Sequence, residues 1–305
     1  METSITADRG DAPDYGGIRR VELPLPFQPG SVNVYLVPQE DGWILMDCGM
    51  DLPAALPAYQ AAGIDWRDIR QALLTHVHPD HSGLAAQIRE LTGAPVRMHS
   101  REEDVLKSLS APRQWLAWQE ALLHDSGVPA AAREGIQNAT SRLCKFFPSI
   151  AADSHIEDGE IIPTALGPMQ ALLTPGHSAG HLCFYFRDRK LLLAGDQLLK
   201  PRTPHLEWSA KGSALAEFRA SLERLARLDV AWVLPSHGAA FTGHRARIES
   251  IDRHCAAMAA RITELQSRGL ESPHDLACAY WNRPMSPFEH RTAVFEMLAY
   301  LQHPN

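Results

Sequence analysis

Cysteine is scarce and unpaired in this chain. Cys48, Cys144, Cys183, Cys255 and Cys278 are odd in number, scattered, and form no CxxC. That argues against a disulfide scaffold or a four-cysteine zinc site. Long apolar runs are also missing, and none approaches the ~18 residues of a membrane span. Met1 to Gly10 carries Glu2, Asp8 and Arg9 without an apolar stretch, so no secretory signal is expected. Positive charge is not in excess: 29 basic residues against 36 acidic ones leave −7. A general nucleic-acid-binding surface is therefore not expected. These absences leave a reduced, cytoplasmic, globular protein whose partner is a small-molecule substrate rather than nucleic acid or membrane, with homodimerisation left open. Its 305 residues allow about two domains at roughly 150 residues each. Histidine is the residue in surplus, at 15.

The polar, Asp- and Gly-rich start, residues 1–16, reads as a flexible N-terminus. Short strands are expected at 18–25, 31–37, 43–46, 71–75 and 96–98, with turn signals at Gly16-Gly17, Pro29-Gly30 and Asp41-Gly42. A helix is expected over 52–62. Ser82 reads as the N-cap of another over 83–91. Residues 101–150 form a helical insertion or lid. There Pro112, Gly127-Val128-Pro129 and Pro148 divide three helices, and Trp115 and Trp118 lie beside Leu116, Leu122 and Leu123. Strands resume at 169–173, 182–186 and 191–193, followed by a helix over 214–228 and a last strand at 231–234. The pattern is helical only from about Arg245. Two successive blocks of strands and helices indicate an α/β or α+β domain over 17–245 with a helical appendage, 246–305. That appendage has six Arg, no Lys and seven Asp/Glu, which is no footprint for RNA.

The histidines cluster where strands end. Thr75-His76-Val77-His78-Pro79-Asp80-His81-Ser82-Gly83 is a loop fixed by a strand before it and a helix after it. In an extended chain His76 and His78 point to one side and can grip one cation, while Asp80 and His81 can turn toward a second. Imidazole with carboxylate suits zinc, and also iron or manganese. Thr174-Pro-Gly-His177-Ser-Ala-Gly-His181, Gly195-Asp196 and Ser236-His237-Gly238 each place a ligand-type side chain at a strand end beside a small residue. Such positions are rigid and leave room for close approach.

This order of motifs, with Asp47-Cys48-Gly49 after Trp43–Met46, resembles the metallo-β-lactamase superfamily over about residues 17–245. The resemblance implies an α+β fold: a four-layer αββα sandwich with a two-metal site on one edge, here with an added C-terminal helical region comparable with a winged helix. It implies that His76, His78 and His177 hold one metal, that Asp80, His81 and His237 hold the other, and that Asp196 bridges them. Asp47 and His181 are implied as supports rather than ligands. Trp115, Trp118 and His205 are candidates for the substrate pocket.

Two divalent ions, zinc first, held a few ångströms apart would acidify a bridging water, so that hydroxide exists near neutral pH. Asp80 is placed to orient it and take its proton. That chemistry suits a thioester or ester above all. Gln197 to Lys200 lacks the tyrosine that lactonases of similar sites carry after the bridging aspartate, which weakens a lactonase reading. Glyoxalase II enzymes share the His76–His81, Thr174–His181 and Gly195-Asp196 patterns, but their basic glutathione-binding residues find no match. Some members of a broader similar group are ribonucleases. A different class remains: a sulfur (persulfide) dioxygenase with one iron on two His and one Asp.

Overall fold

The computed structural model describes residues 15–109, 111–200, 202–208, 210 and 212–302. The flexible start expected at 1–16 falls, up to residue 14, outside the described residues. Strands β1 (Arg19–Pro24), β2 (Ser31–Gln39) and β3 (Gly42–Met46) form an antiparallel meander. Helix α1 (Ala55–Ala61) leads into β4 (Ile69–Leu73). The short helix α2 (Pro79–Ser82), α3 (Ala85–Thr92), β5 (Val96–Met98) and α4 (Ser100–Leu109) follow. Next come α5 (Pro112–Asp125) and α6 (Ala130–Leu143), then the very short β6 (Ser154–His155) and β7 (Ile161–Ile162). The second half runs β8 (Met169–Leu173), β9 (Leu182–Phe186), β10 (Leu191–Gly195), α7 (Ala214–Ala226) and β11 (Trp232–Pro235). It closes with α8 (His244–Ser267), α9 (Pro273–Trp281) and α10 (Pro287–Leu301).

Six strands pair in the order β1-β2-β3-β4-β5-β6 and five in the order β11-β10-β9-β8-β7. Period-two alternation decides which face each residue serves. Along β2, Val32, Val34 and Leu36 face α1 and α3, while Tyr35 and Val37 face the other sheet. Along β9, Leu182, Phe184 and Phe186 pack between the sheets, while Cys183 and Tyr185 face the helices of the second half. The result is the αββα layering, with one core between the sheets and one outside each.

Three helices do fill 101–150, with Pro112 and Pro129 at the starts of α5 and α6. They divide between layers. Leu106 of α4 joins the first half, whereas Leu123 and Ile136 join the second half and the C-terminal helices. Residues 246–302 form helices joined by loops, with no strand among these described residues and hence no β-wing formed by them. No helix among the described residues is long and apolar enough to cross a membrane.

The expected cap at Ser82 is corrected. Pro79 starts a helix earlier, at α2, because its fixed φ suits a first helical position. Ser82 is the last residue of that turn, and its hydroxyl donates to the carbonyls of Val77 (2.9 Å) and His78 (3.2 Å). Gly83 follows where a Cβ would stand 2.6 Å from the Pro79 carbonyl and 2.8 Å from the Asp51 nitrogen. The close approach of these two chains therefore requires glycine.

Candidate metal centre

The carboxyl ends of β3, β4, β8, β10 and β11 meet on one edge of the sandwich, and each carries a residue singled out above. The two sheets are stitched together there. The Leu182 nitrogen donates to the Thr75 carbonyl (2.8 Å), and Asn33 N donates to Ser236 O (2.6 Å). Asn33 and Tyr35 of β2 hold the end of β11 through the Pro235 carbonyl, at 3.0 and 2.7 Å.

Three overlapping groups of ligand atoms result, each within 4.8 Å: His76–His78–His177, Asp80–His81–His237, and His76–His81–Asp196. The first two are the two sets expected from sequence. Asp196 lies between them. One oxygen is 3.6 Å from His81 Nε2, and the other is 3.6 Å from His177 Nε2 and 3.4 Å from His237 Nε2.

Backbone and carboxylate partners set the ring orientations. His81 Nδ1 faces Asp47 Oδ2 at 2.9 Å, His177 Nδ1 faces the His205 carbonyl at 3.0 Å, and His237 Nδ1 faces the Ser31 carbonyl at 2.8 Å. An acceptor on Nδ1 puts the proton there and leaves Nε2 as the lone-pair donor. All three Nε2 atoms then point inward. Those of His81 and His177, with Asp196 Oδ1, are buried without a hydrogen-bond partner. Buried orphan acceptors converging on one space are costly unless a cation meets them, so this donor set fits divalent metal ions.

Asp47 contributes no atom to any of the converging groups. It accepts from the Thr75 nitrogen (2.7 Å) and hydroxyl (2.9 Å) and from His81, holding the loop in a left-handed backbone of its own (φ 60°). His181 likewise supports. Its Nδ1 meets Thr174 Oγ1 at 2.9 Å and its Nε2 accepts from the Asp196 nitrogen at 3.1 Å. Gly195 makes that reach available, since a Cβ there would stand 2.5 Å from His181 Nε2. Burial pushes the His181 pKa down to about 3, keeping the ring a neutral acceptor.

Charge at the edge is organised around its carboxylates. Burial disfavours protonated His237, yet Asp196 and Asp80 outweigh burial and lift its pKa to about 11. Burial opposes charge on His81 too, and Asp80, Asp196 and Asp47 together lift it to about 9. Cation binding must displace those protons.

Two residues that matter here carried no signal in the sequence. Glu102, on α4, is fully buried and joins two loops. Its carboxylate accepts from the Val77 nitrogen (2.9 Å), the Ser178 hydroxyl (2.8 Å) and the Gly180 nitrogen (2.5 Å). As one of two adjacent acids in a first helical turn it reads as solvated dipole compensation. Glu207 lies in the loop after Asp196 and meets His78 Nε2 at 3.3 Å. Against burial, that bond and the His78 charge hold its carboxyl down to about 2.

His205 lies over the first group, its ring 5.8 Å from His78 at 22° and 4.8 Å from His177. Trp118 stacks on Trp208, centroids 6.0 Å apart at 20°, and Trp115 lies 6.4 Å from Trp118. The helical insertion thus reaches the loop that carries His205 and Glu207.

The fold and this edge together define a metal-dependent hydrolase scaffold. A sequence model described as the metallo-beta-lactamase superfamily matches residues 27–237, and the chain belongs to that superfamily. It is 31% identical over 243 residues to the probable metallo-hydrolase YqjP of Bacillus subtilis, spanning 75% of this chain and 74% of that one. It is 27% identical over 270 residues to the acyl-coenzyme A thioesterase MBLAC2 of Bos taurus, spanning 84% and 89%. The crystal structure of a metallo-beta-lactamase family protein from Thermus thermophilus superposes with a TM-score of 0.83 at 28% identity, over 94% of this chain and 92% of that one.

Proposed function

We propose that the protein hydrolyses an acyl thioester with two divalent cations, zinc in the first instance. His76, His78 and His177 would hold one, Asp80, His81 and His237 the other, and Asp196 would touch both. The observation that carries this reading is the convergence of two ligand groups on one shared carboxylate. The complete second group favours two ions over the single iron of a dioxygenase. The thioester is favoured by the likeness to an acyl-coenzyme A thioesterase.

Cations so held would acidify a water and polarise the substrate carbonyl. Asp80 orients the attacking water and takes its proton; its Oδ2 is 3.4 Å from His237 Nε2, which steadies the carboxylate. Asp47 and Glu102 keep the loops in register while the carbonyl carbon passes through its tetrahedral geometry. The Trp115–Trp118–Trp208 wall offers an apolar surface for an acyl chain beside the first group.

The decisive experiment combines metal analysis with a panel of thioesters, oxygen esters, lactones, phosphodiesters and β-lactams. The expected result is the highest kcat/KM on a thioester, abolished by chelator, with full activity returning only when about two metal ions per chain are restored to the imidazole–carboxylate edge. One iron per chain with oxygen uptake on a glutathione persulfide would overturn both reaction and stoichiometry. A preference for lactones or phosphodiesters would overturn the substrate class alone.

A further inference from the structure

We propose a further metal site, remote from the catalytic edge in sequence and ligand set, formed by His274 and Cys278 of α9 with His290 of α10 and suited to a zinc-class divalent cation. His274 and Cys278 are four residues apart, hence on one helical face. Both helices begin at fixed points. The Ser272 hydroxyl caps α9 and accepts from Asp275 N, and a reciprocal Ser286–Glu289 capping box opens α10. This places His274 and His290 in or just beyond first turns that the caps and Pro273 and Pro287 hold in register.

The distances match a coordination sphere. Zinc bonds of about 2.0–2.1 Å to nitrogen and 2.3 Å to sulfur, arranged tetrahedrally, put two nitrogens about 3.3 Å apart and nitrogen and sulfur about 3.6 Å apart. Here His274 Nδ1 and His290 Nε2 are 3.0 Å apart, Cys278 Sγ is 3.8 Å from His274 Nδ1, and one ligand atom from each of the three residues lies within 4.8 Å of the others. Two imidazoles and a thiolate select zinc, cobalt or copper over magnesium and calcium. The Cys278 thiol would release its proton to solvent on binding. Cys278 is exposed, so a fourth position is open to water.

The site bears on the architecture. The His274 nitrogen donates to the Ser126 carbonyl at the end of α5 (3.0 Å), and Arg291, next to His290, donates to Gln119 of α5 (2.7 Å). A bound ion would pin the starts of α9 and α10 to each other and, through these bonds, to α5, the helix that carries Trp115 and Trp118. Its role is that of a clamp on the helical wall.

Cobalt distinguishes this site from the catalytic one. The catalytic groups contain only imidazole and carboxylate, and Cys48, buried beneath them, stands in none of the ligand groups found among the described residues. A near-ultraviolet sulfur-to-cobalt charge-transfer band in the full-length protein therefore reports on Cys278. The expected result is that cobalt added to chelated protein raises the band and that zinc displaces it. Cys278→Ser should abolish the band, retain about one metal ion fewer per chain after desalting, and keep the wild-type kcat on a short acyl substrate, which does not reach the wall. His290→Gln should weaken the band with the thiol still present. Absence of the band in wild type, a band unchanged in Cys278→Ser, or equal metal content in the two proteins would each overturn the proposal and leave an imidazole–imidazole hydrogen bond. None of these outcomes bears on the catalytic reading, whose metal groups and activity are measured separately.

Discussion

The metal edge and the helical wall beside it are built on different physics. At the edge almost every side chain is fixed by a hydrogen bond to backbone or carboxylate, as Asp47 fixes Thr75 and His81. In the wall, large side chains stack: Trp118 remains 41% exposed while lying on Trp208, and Arg291 sits 4.2 Å over the Phe295 ring. Directional bonds hold atoms to within tenths of an ångström, whereas stacked rings tolerate sliding. Changes at the edge should therefore alter the chemistry, and changes in the wall should alter which substrate is accepted.

The largest effect is expected at Asp80. Asp80→Asn keeps the shape and removes the charge, so kcat should fall at least ~100-fold, about 2.7 kcal/mol in the barrier, with unchanged circular dichroism and the His76–His78–His177 ion retained. If more than a third of kcat survived, Asp80 would not be the base. Asp47→Asn, one bond further out, should cost less in rate and more in metal affinity.

Glu102→Ala tests whether the edge extends into the helical layer. It strips the acceptors from Val77, Ser178 and Gly180. Metal affinity should drop roughly 10–100-fold, measurable by chelator competition. Unchanged affinity would confine Glu102 to helix packing.

How much of this was legible beforehand follows the same division. His76, His78, Asp80, His81, His177, Asp196 and His237 announced themselves because metal chemistry restricts residue type and strand ends restrict spacing. The α+β class followed from two successive blocks of strands and helices, and the αββα layering from the resemblance to the superfamily. Glu102 and Glu207 did not, since a carboxylate in a helix or loop has the same local signature whether it is solvated or buried; only tertiary approach separates the cases. Ser82 misled because its type suits a cap, while Pro79 three residues earlier had already begun the helix. Trp208 and Arg291 complete a wall with Trp118 across 90 and 173 residues of sequence, a distance that local pattern does not span.

Glu296 sharpens the contrast through pH. It lines a cavity of about 420 Å³ with Met258, Tyr280 and Trp281, and burial pushes its carboxyl up to about 8 from an ordinary 4.5. The folded chain holds this proton more tightly than the unfolded one. Its stabilising contribution is complete below about pH 4.5 and is lost as pH rises through about 8. Glu296→Gln should therefore raise thermal stability by roughly 1–3 kcal/mol at pH 9 and change little near pH 5, by calorimetry across that range. An equal gain at both pH values would assign the effect to packing.

The smallest effect is expected at Trp118. Trp118→Ala should raise KM several-fold for long acyl substrates, leave short ones nearly unchanged, and spare kcat. Equal kinetics on both lengths would make the stacked pair an element of packing alone.

The ligands at this edge are also ordered in time. A chain emerging from its N-terminus has made His76, His78 and His177 while sixty residues still separate it from His237. At roughly 5–20 residues per second of synthesis, the tri-histidine set exists for about 3–12 s before the second set can close. Under the proposed assignment the first position would therefore be complete in the chain before the second, and the two would become fillable in that order.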